Sequence, residues 1–142
     1  MRVFLDTNVL FSSAYRTIGA PAHVVDLAGA GAFVPVISTA VVRELAQSLQ
    51  RKAPRAIERA DRILAEVRFE LAGEAAGSAI ERWRNATLGT DAPIIAAALA
   101  AEVDYFCTGD RRILARGRAG ELAGLRVASP AELVAIIESA PA

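Results

Sequence analysis

The 142-residue chain has one cysteine, one histidine and one lysine, and each scarcity closes off a class of function. With Cys107 alone there is no internal disulfide framework, and the composition suits a reducing cytoplasm. His23 and Cys107 cannot supply the clustered nitrogen and sulfur ligands of a zinc site. Ser12 and Ser13 lack a partner histidine for nucleophilic catalysis. Neither GxGxxG nor GxxxxGK[ST] occurs, so there is no glycine-rich phosphate loop. Long apolar runs are missing too. The longest, Ala92–Ala101, falls short of the ~20 residues that span a membrane. Asp6 interrupts the N-terminal apolar run too early for a signal peptide. A cytoplasmic protein without a membrane segment is expected.

Charge of one sign is also lacking. There are 16 basic and 16 acidic residues, so no global field recruits nucleic acid. Apart from Lys52 the basic residues are arginines, which suit bidentate phosphate or carboxylate contacts. A codon bias that also produces the many alanines explains them as well. The hydrophobic share of 54% is high for one small domain, which hints at a homodimer interface.

Strand-like and helix-like runs alternate. Val3–Leu5, Phe33–Ile37, Val67–Leu71, Asp104–Thr108 and Leu125–Ala128 read as strands. Helical stretches follow Val3–Leu5 and recur over Pro21–Ala30, Thr39–Gln50 capped by Ser38, Arg55–Ala65 beyond Pro54, and around Trp83 before a turn at Leu88-Gly89. Further helices run from Thr90 to Glu102, with Pro93 in the first turn, and from Asp110. Ser129-Pro-Ala-Glu132 is a capping box that opens the last one. The pattern predicts an α/β fold, a three-layer α/β/α sandwich around a mainly parallel sheet of four to five strands. It occupies one domain over 1–138, with a short tail at 139–142.

In such a sheet the strand C-termini and helix N-termini share one edge, where ligand sites form. Asp6 follows the first strand, Asp110 follows the fourth, and Asp91 lies in the first turn of the helix between. Glu44 lies one turn into the helix after Phe33–Ile37, where side chains lean back toward the edge. Each acid singly reads as a cap or a solvated charge. Four together at one edge repel, unless a hard cation such as Mg²⁺ or Mn²⁺ compensates them. Asn8 and Thr108 lie beside two of the acids, placed to orient them or a water. Divalent cations on oxygen ligands support phosphodiester hydrolysis.

"LDTNVLFSS", Glu44 and "TDAPIIAAALAAEVDYFCTGD", in that order, resemble the PIN domain family in its small prokaryotic toxin-like (VapC-like) branch. The resemblance covers nearly the whole chain. It implies the three-layer fold and Mg²⁺/Mn²⁺-dependent ribonuclease activity on an RNA substrate. It also implies a toxin held by a cognate antitoxin. By position, Asp6, Glu44, Asp91 and Asp110 match the family's acidic metal site, with Asn8 and Thr108 as polar neighbours. Many relatives carry a further acid two residues after the TGD aspartate, where Arg112 stands here. Arg111 or Arg112 is then a candidate for substrate phosphate. The same departure keeps open a degenerate PIN domain that only binds RNA or protein.

Arg51, Arg55, Arg59 and Arg62 form a basic stripe if their region is helical, and the interleaved Glu58 and Asp61 favour a solvated face. Trp83 and Tyr15 read as core or rim packing rather than base-stacking groups, and Cys107 as an inert strand residue.

Overall fold

The first strand, Arg2–Leu5 (β1), is the centre of the sheet, and Val3, Phe4 and Leu5 have no exposed surface. A strand covered on both faces needs such an unbroken apolar run. In the computed structural model, which describes residues 1–84 and 88–139, the other strands are Val34–Ser38 (β2), Glu70–Ala72 (β3), Tyr105–Cys107 (β4) and Val127–Ala128 (β5). Their order is β3-β2-β1-β4-β5 and every neighbouring pair is parallel. The sheet thus has five strands, and no antiparallel pair among the described residues. The Phe4 and Phe106 rings stack with centroids 5.4 Å apart on directly paired residues, which pins the β1–β4 register. That register carries Asp6 to the level of Thr108.

Helices fill the connections. Thr7–Tyr15 (α1) and Ala20–Gly29 (α2) join β1 to β2, and Thr39–Lys52 (α3) and Ile57–Glu66 (α4) join β2 to β3. Gly77–Trp83 (α5) and Ala92–Ala100 (α6) precede β4, Arg111–Arg118 (α7) precedes β5, and Pro130–Glu138 (α8) follows it. α1 packs with α2, α3 and α4, and α2 with α8, while α5 lies on α6 and α6 against β2. The result is the expected three-layer α/β/α sandwich. Ser38 and Ser129 cap α3 and α8, and the Ser129–Glu132 capping box is complete. Among the described residues no helix is long and apolar enough to cross a membrane.

Some boundaries move. Val67 is not in a strand: its N–H caps α4 by donating to Ile63, and β3 begins at Glu70. Phe33 is buried but precedes β2. Gly89–Asp91 forms a 3-10 turn, so Asp91 stands at the N-cap of α6 rather than inside its first turn. α6 ends at Ala100, and Glu102 turns the chain at φ 51°. The proposed tail lies outside the described residues, apart from Ser139, which caps α8. The arginine stripe is broken: α3 ends at Lys52, Arg55 sits in a 3-10 turn, and Arg59 and Arg62 belong to α4.

α7 is held close to β5 at Gly117, where an added Cβ would lie 2.4 Å from Val127 Cγ1 and 2.6 Å from Cγ2. Gly117→Ala is therefore expected to destabilise the fold by about 1–3 kcal/mol through overpacking. An unchanged urea midpoint would contradict this close approach.

Candidate active site

From β1 the chain passes to β2 and β3 on one side, then returns to β4 on the other. The strand order reverses between β1 and β4, and the crevice at their C-terminal ends is where α/β sheets bind ligands. Asp6 and Thr108 occupy those two strand ends.

Asp6 is only 4% exposed and caps α1, its Oδ1 accepting the Thr7 N–H at 2.8 Å. The Thr108 hydroxyl donates to Asp6 Oδ2 at 2.7 Å, and the Asn8 side-chain amide donates to the same oxygen at 3.1 Å. Thr108 Oγ1 also accepts from the Asn8 amide at 3.1 Å and from the Asp110 N–H at 3.0 Å. Asn8 Oδ1 accepts the Gly109 N–H at 2.8 Å, and a Cβ at Gly109 would stand 3.3 Å from that oxygen. One network thus ties the start of α1 to the turn after β4.

The other acids arrive from separate elements. Asp110 caps α7, accepting from the Arg112 and Ile113 N–H groups at 2.8 and 3.3 Å. Glu44 is half-buried beside the Val41, Leu45 and Leu49 face of α3. Asp91 makes no capping hydrogen bond. All four line one cleft of about 220 Å³, together with Thr7, Asn8, Phe11, Ser12, Ser48 and Lys52. The capping roles of Asp6 and Asp110 and their place in the cleft coexist.

The electrostatics record the crowding. Burial pushes Asp6 up to about 6, and the Asp91 and Glu44 charges add to this against the hydrogen bonds from Thr108 and Thr7. Burial raises Glu44, with Asp91 adding to the shift and Thr7 and Lys52 opposing it. Asp91 is raised by burial and by Asp110, while Arg112 opposes the shift. The carboxyl groups hold one another toward the neutral form.

A raised carboxylate pKa means the folded protein holds a proton that the unfolded chain has lost. Stability then falls as pH climbs from the unfolded value toward the folded one. In chelator, the metal-free protein is expected to lose about 1 kcal/mol between pH 5 and pH 7.5 from Asp6 alone. Glu70 and Glu132, whose pKa values are lowered from 4.5, add stability as pH rises, but most of that gain falls below this window and offsets the slope only slightly. Urea titrations at the two pH values measure it, and a stability that rises with pH would contradict it.

Among the described residues no three acids, histidines or cysteines are gathered closely enough to hold one ion by themselves. The acids ring the cleft instead. This fits Mg²⁺ or Mn²⁺, since a small hard cation keeps several waters and needs only one or two direct carboxylates. The Thr7 hydroxyl supports that fit. It is buried and makes no well-formed hydrogen bond, although it lies near enough to favour the ionised form of Glu44. A hydrated ion would satisfy such a group.

Two features escape sequence reasoning. Lys52 lines the acid cleft, and Glu44, Ser48 and Lys52 recur every four residues along α3, a spacing that would have marked one face. A second cleft, of about 420 Å³, adjoins the first and shares Asp91 with it, and Arg112 and Arg116 form part of its wall. Arg111 is exposed and lines neither cleft. Trp83 is buried in the core, and Tyr15, half-exposed, stacks on Phe11 with centroids 6.1 Å apart. Cys107 has no exposed surface, and burial pushes its thiol up to about 12, which makes it inert.

A family model described as the PIN domain matches residues 2–112. Among solved structures, the chain is similar in fold to the crystal structure of VapBC2 from Rickettsia felis bound to a DNA fragment from their promoter. The TM-score is 0.66 at 16% identity, over 91% of this chain and 98% of that one. PAE2754 from Pyrobaculum aerophilum is similar with a TM-score of 0.72 at 15% identity, over 99% of this chain and 91% of that one. No curated protein matches in sequence.

Proposed function

This chain belongs to the PIN domain family, whose members are generally nucleases, and on that premise we propose that it is a Mg²⁺- or Mn²⁺-dependent ribonuclease, the toxin of a toxin–antitoxin pair. The observation that carries the reading is the convergence of Asp6, Glu44, Asp91 and Asp110 on one cleft at the switch point of the sheet. Those four residues would hold the cation, directly or through waters. When bound, it supplies water activation and neutralises charge that builds on the phosphoryl group.

The chain's own residues do the rest. Thr108 and Asn8 fix the Asp6 carboxylate by donating to Oδ2, so its orientation is set before substrate arrives. Lys52, on the cleft wall, offsets the acids and can meet a phosphate oxygen. Arg112, whose charge reaches Asp91, is the better placed of the two candidate phosphate-binding arginines, since Arg111 lines neither cleft. The likeness in fold to VapBC2 supports an antitoxin partner. A homodimer rests on the hydrophobic share of 54%.

A second reading, a non-catalytic RNA-binding module, is favoured by Arg112 at the position of the usual further acid. Incubating RNA with the protein in Mg²⁺, Mn²⁺ or chelator separates them. Cleavage that needs the cation supports the ribonuclease. Cleavage undiminished in chelator overturns the mechanism, and RNA binding without cleavage in any cation selects the module.

A further inference from the structure

The ribonuclease reading leaves an electrostatic problem: four carboxylates around the cleft repel the polyanion they would cut. The net charge of +0 supplies no long-range attraction, so it has to come from cations flanking the cleft. We infer that the second cleft, along α7, binds the backbone of single-stranded RNA and leads it to the acids, with Arg112 and Arg116 each taking a phosphate. This rests on the ribonuclease reading and deepens it.

Three observations carry the inference. Asp91 lies on both clefts, so a strand seated in one passes directly into the other. Arg112 and Arg116 are four residues apart on α7 and therefore share a face one turn apart, a spacing that can serve successive phosphates. Arg112 Nε lies 4.0 Å from Asp110 with its side chain 86% exposed, while Arg116, 27% exposed and ion-paired to Glu121 at 4.0 Å, is held in place on the cleft wall. The floor is the apolar pair Leu88 and Ile113, and Thr90 adds a hydroxyl. Cations that track the phosphate backbone hold a single strand without reading its sequence. The arginine that replaces the usual acid thus becomes a substrate contact.

The test is binding of a labelled single-stranded RNA oligonucleotide in chelator, titrated with salt from about 50 to 200 mM. Wild type is compared with the Arg112→Gln/Arg116→Gln double variant and with Arg68→Gln, an exposed arginine away from both clefts. The double variant is expected to lose affinity about tenfold, and its slope of log K against log salt should shrink by about 1.4, two phosphates at ~0.7 each. With Mg²⁺ its KM should rise while kcat stays near wild type. An affinity and slope equal to wild type would overturn the proposal, and so would an equal loss in Arg68→Gln. If the slope shifts as expected but wild type cleaves nothing in any cation, the ribonuclease reading falls and the RNA cleft stands. If wild type cleaves and the slope does not move, the cleft proposal falls alone.

Discussion

Asp91→Asn is expected to cut RNA cleavage by about a hundredfold to a thousandfold, the loss typical when one group serving developing charge is removed. Asp91 is the cleaner of the available substitutions. It makes no capping hydrogen bond, so asparagine takes away charge without breaking a helix cap. It also relieves the repulsion that Asp91 exerts on Asp6 and Glu44, so the metal-free variant should be no less stable than wild type. Asp6→Asn should abolish cleavage as well, but it meets a harder constraint. Both carboxylate oxygens of Asp6 accept hydrogen bonds, and an amide can present only one oxygen to the donors from Thr7, Asn8 and Thr108. Cleavage rates in Mn²⁺, read beside thermal melts, distinguish a lost site from a lost fold. Full activity in both variants would sink the acidic-cleft mechanism.

Thr108→Val carries the largest expected change in stability, about 3 kcal/mol in urea denaturation. Valine keeps the volume of a residue with no exposed surface and removes only the hydroxyl. That oxygen donates to Asp6 and accepts from the Asn8 amide and the Asp110 N–H, so all its bonding capacity is in use. Without it the Asp110 N–H loses its acceptor, and the buried Asp6 carboxylate loses one of the bonds that offset its burial. The Asp6 pKa should move further up, and activity near neutral pH should drop with it. Thr108→Ser restores the hydroxyl and should recover most of both. A valine variant as stable as wild type would show that the network is not what holds this edge together.

The architecture was legible because its signals are local. Asp6, Ser38, Asp110 and Ser129 sit where a strand becomes a helix and supply the side-chain oxygen that the first turn needs. Val3–Leu5 and Tyr105–Cys107 are apolar on every residue or nearly so, as central parallel strands must be. Edge strands carry less signal. Glu70–Ala72 is buried only at its last residue, so an apolar count over Val67–Leu71 started the strand three residues too early. At the site, the motif order and helix geometry led to the four acids. The approximate position of a helix start was enough, which is why the shift of Asp91 to an N-cap changed nothing. Lys52 and the Arg112–Arg116 cleft were hidden for a different reason. Each depends on which faces of two elements meet across a gap, and spacing within one element does not disclose that. Glu44, Ser48 and Lys52 held the only local hint.

The Asp6–Asn8–Thr108–Gly109 network also bears on the order of events during folding. Its bonds join residues 100, 101 and 102 positions apart, so the loop closed by forming it spans most of the chain. Contacts of that separation are entropically expensive and form slowly, after the helices between them have condensed. A chain still emerging from the ribosome therefore holds Asp6, Glu44 and Asp91 long before it can orient them. The acidic edge is expected to be completed late, once β4 pairs with β1 and brings the Thr108 hydroxyl to Asp6.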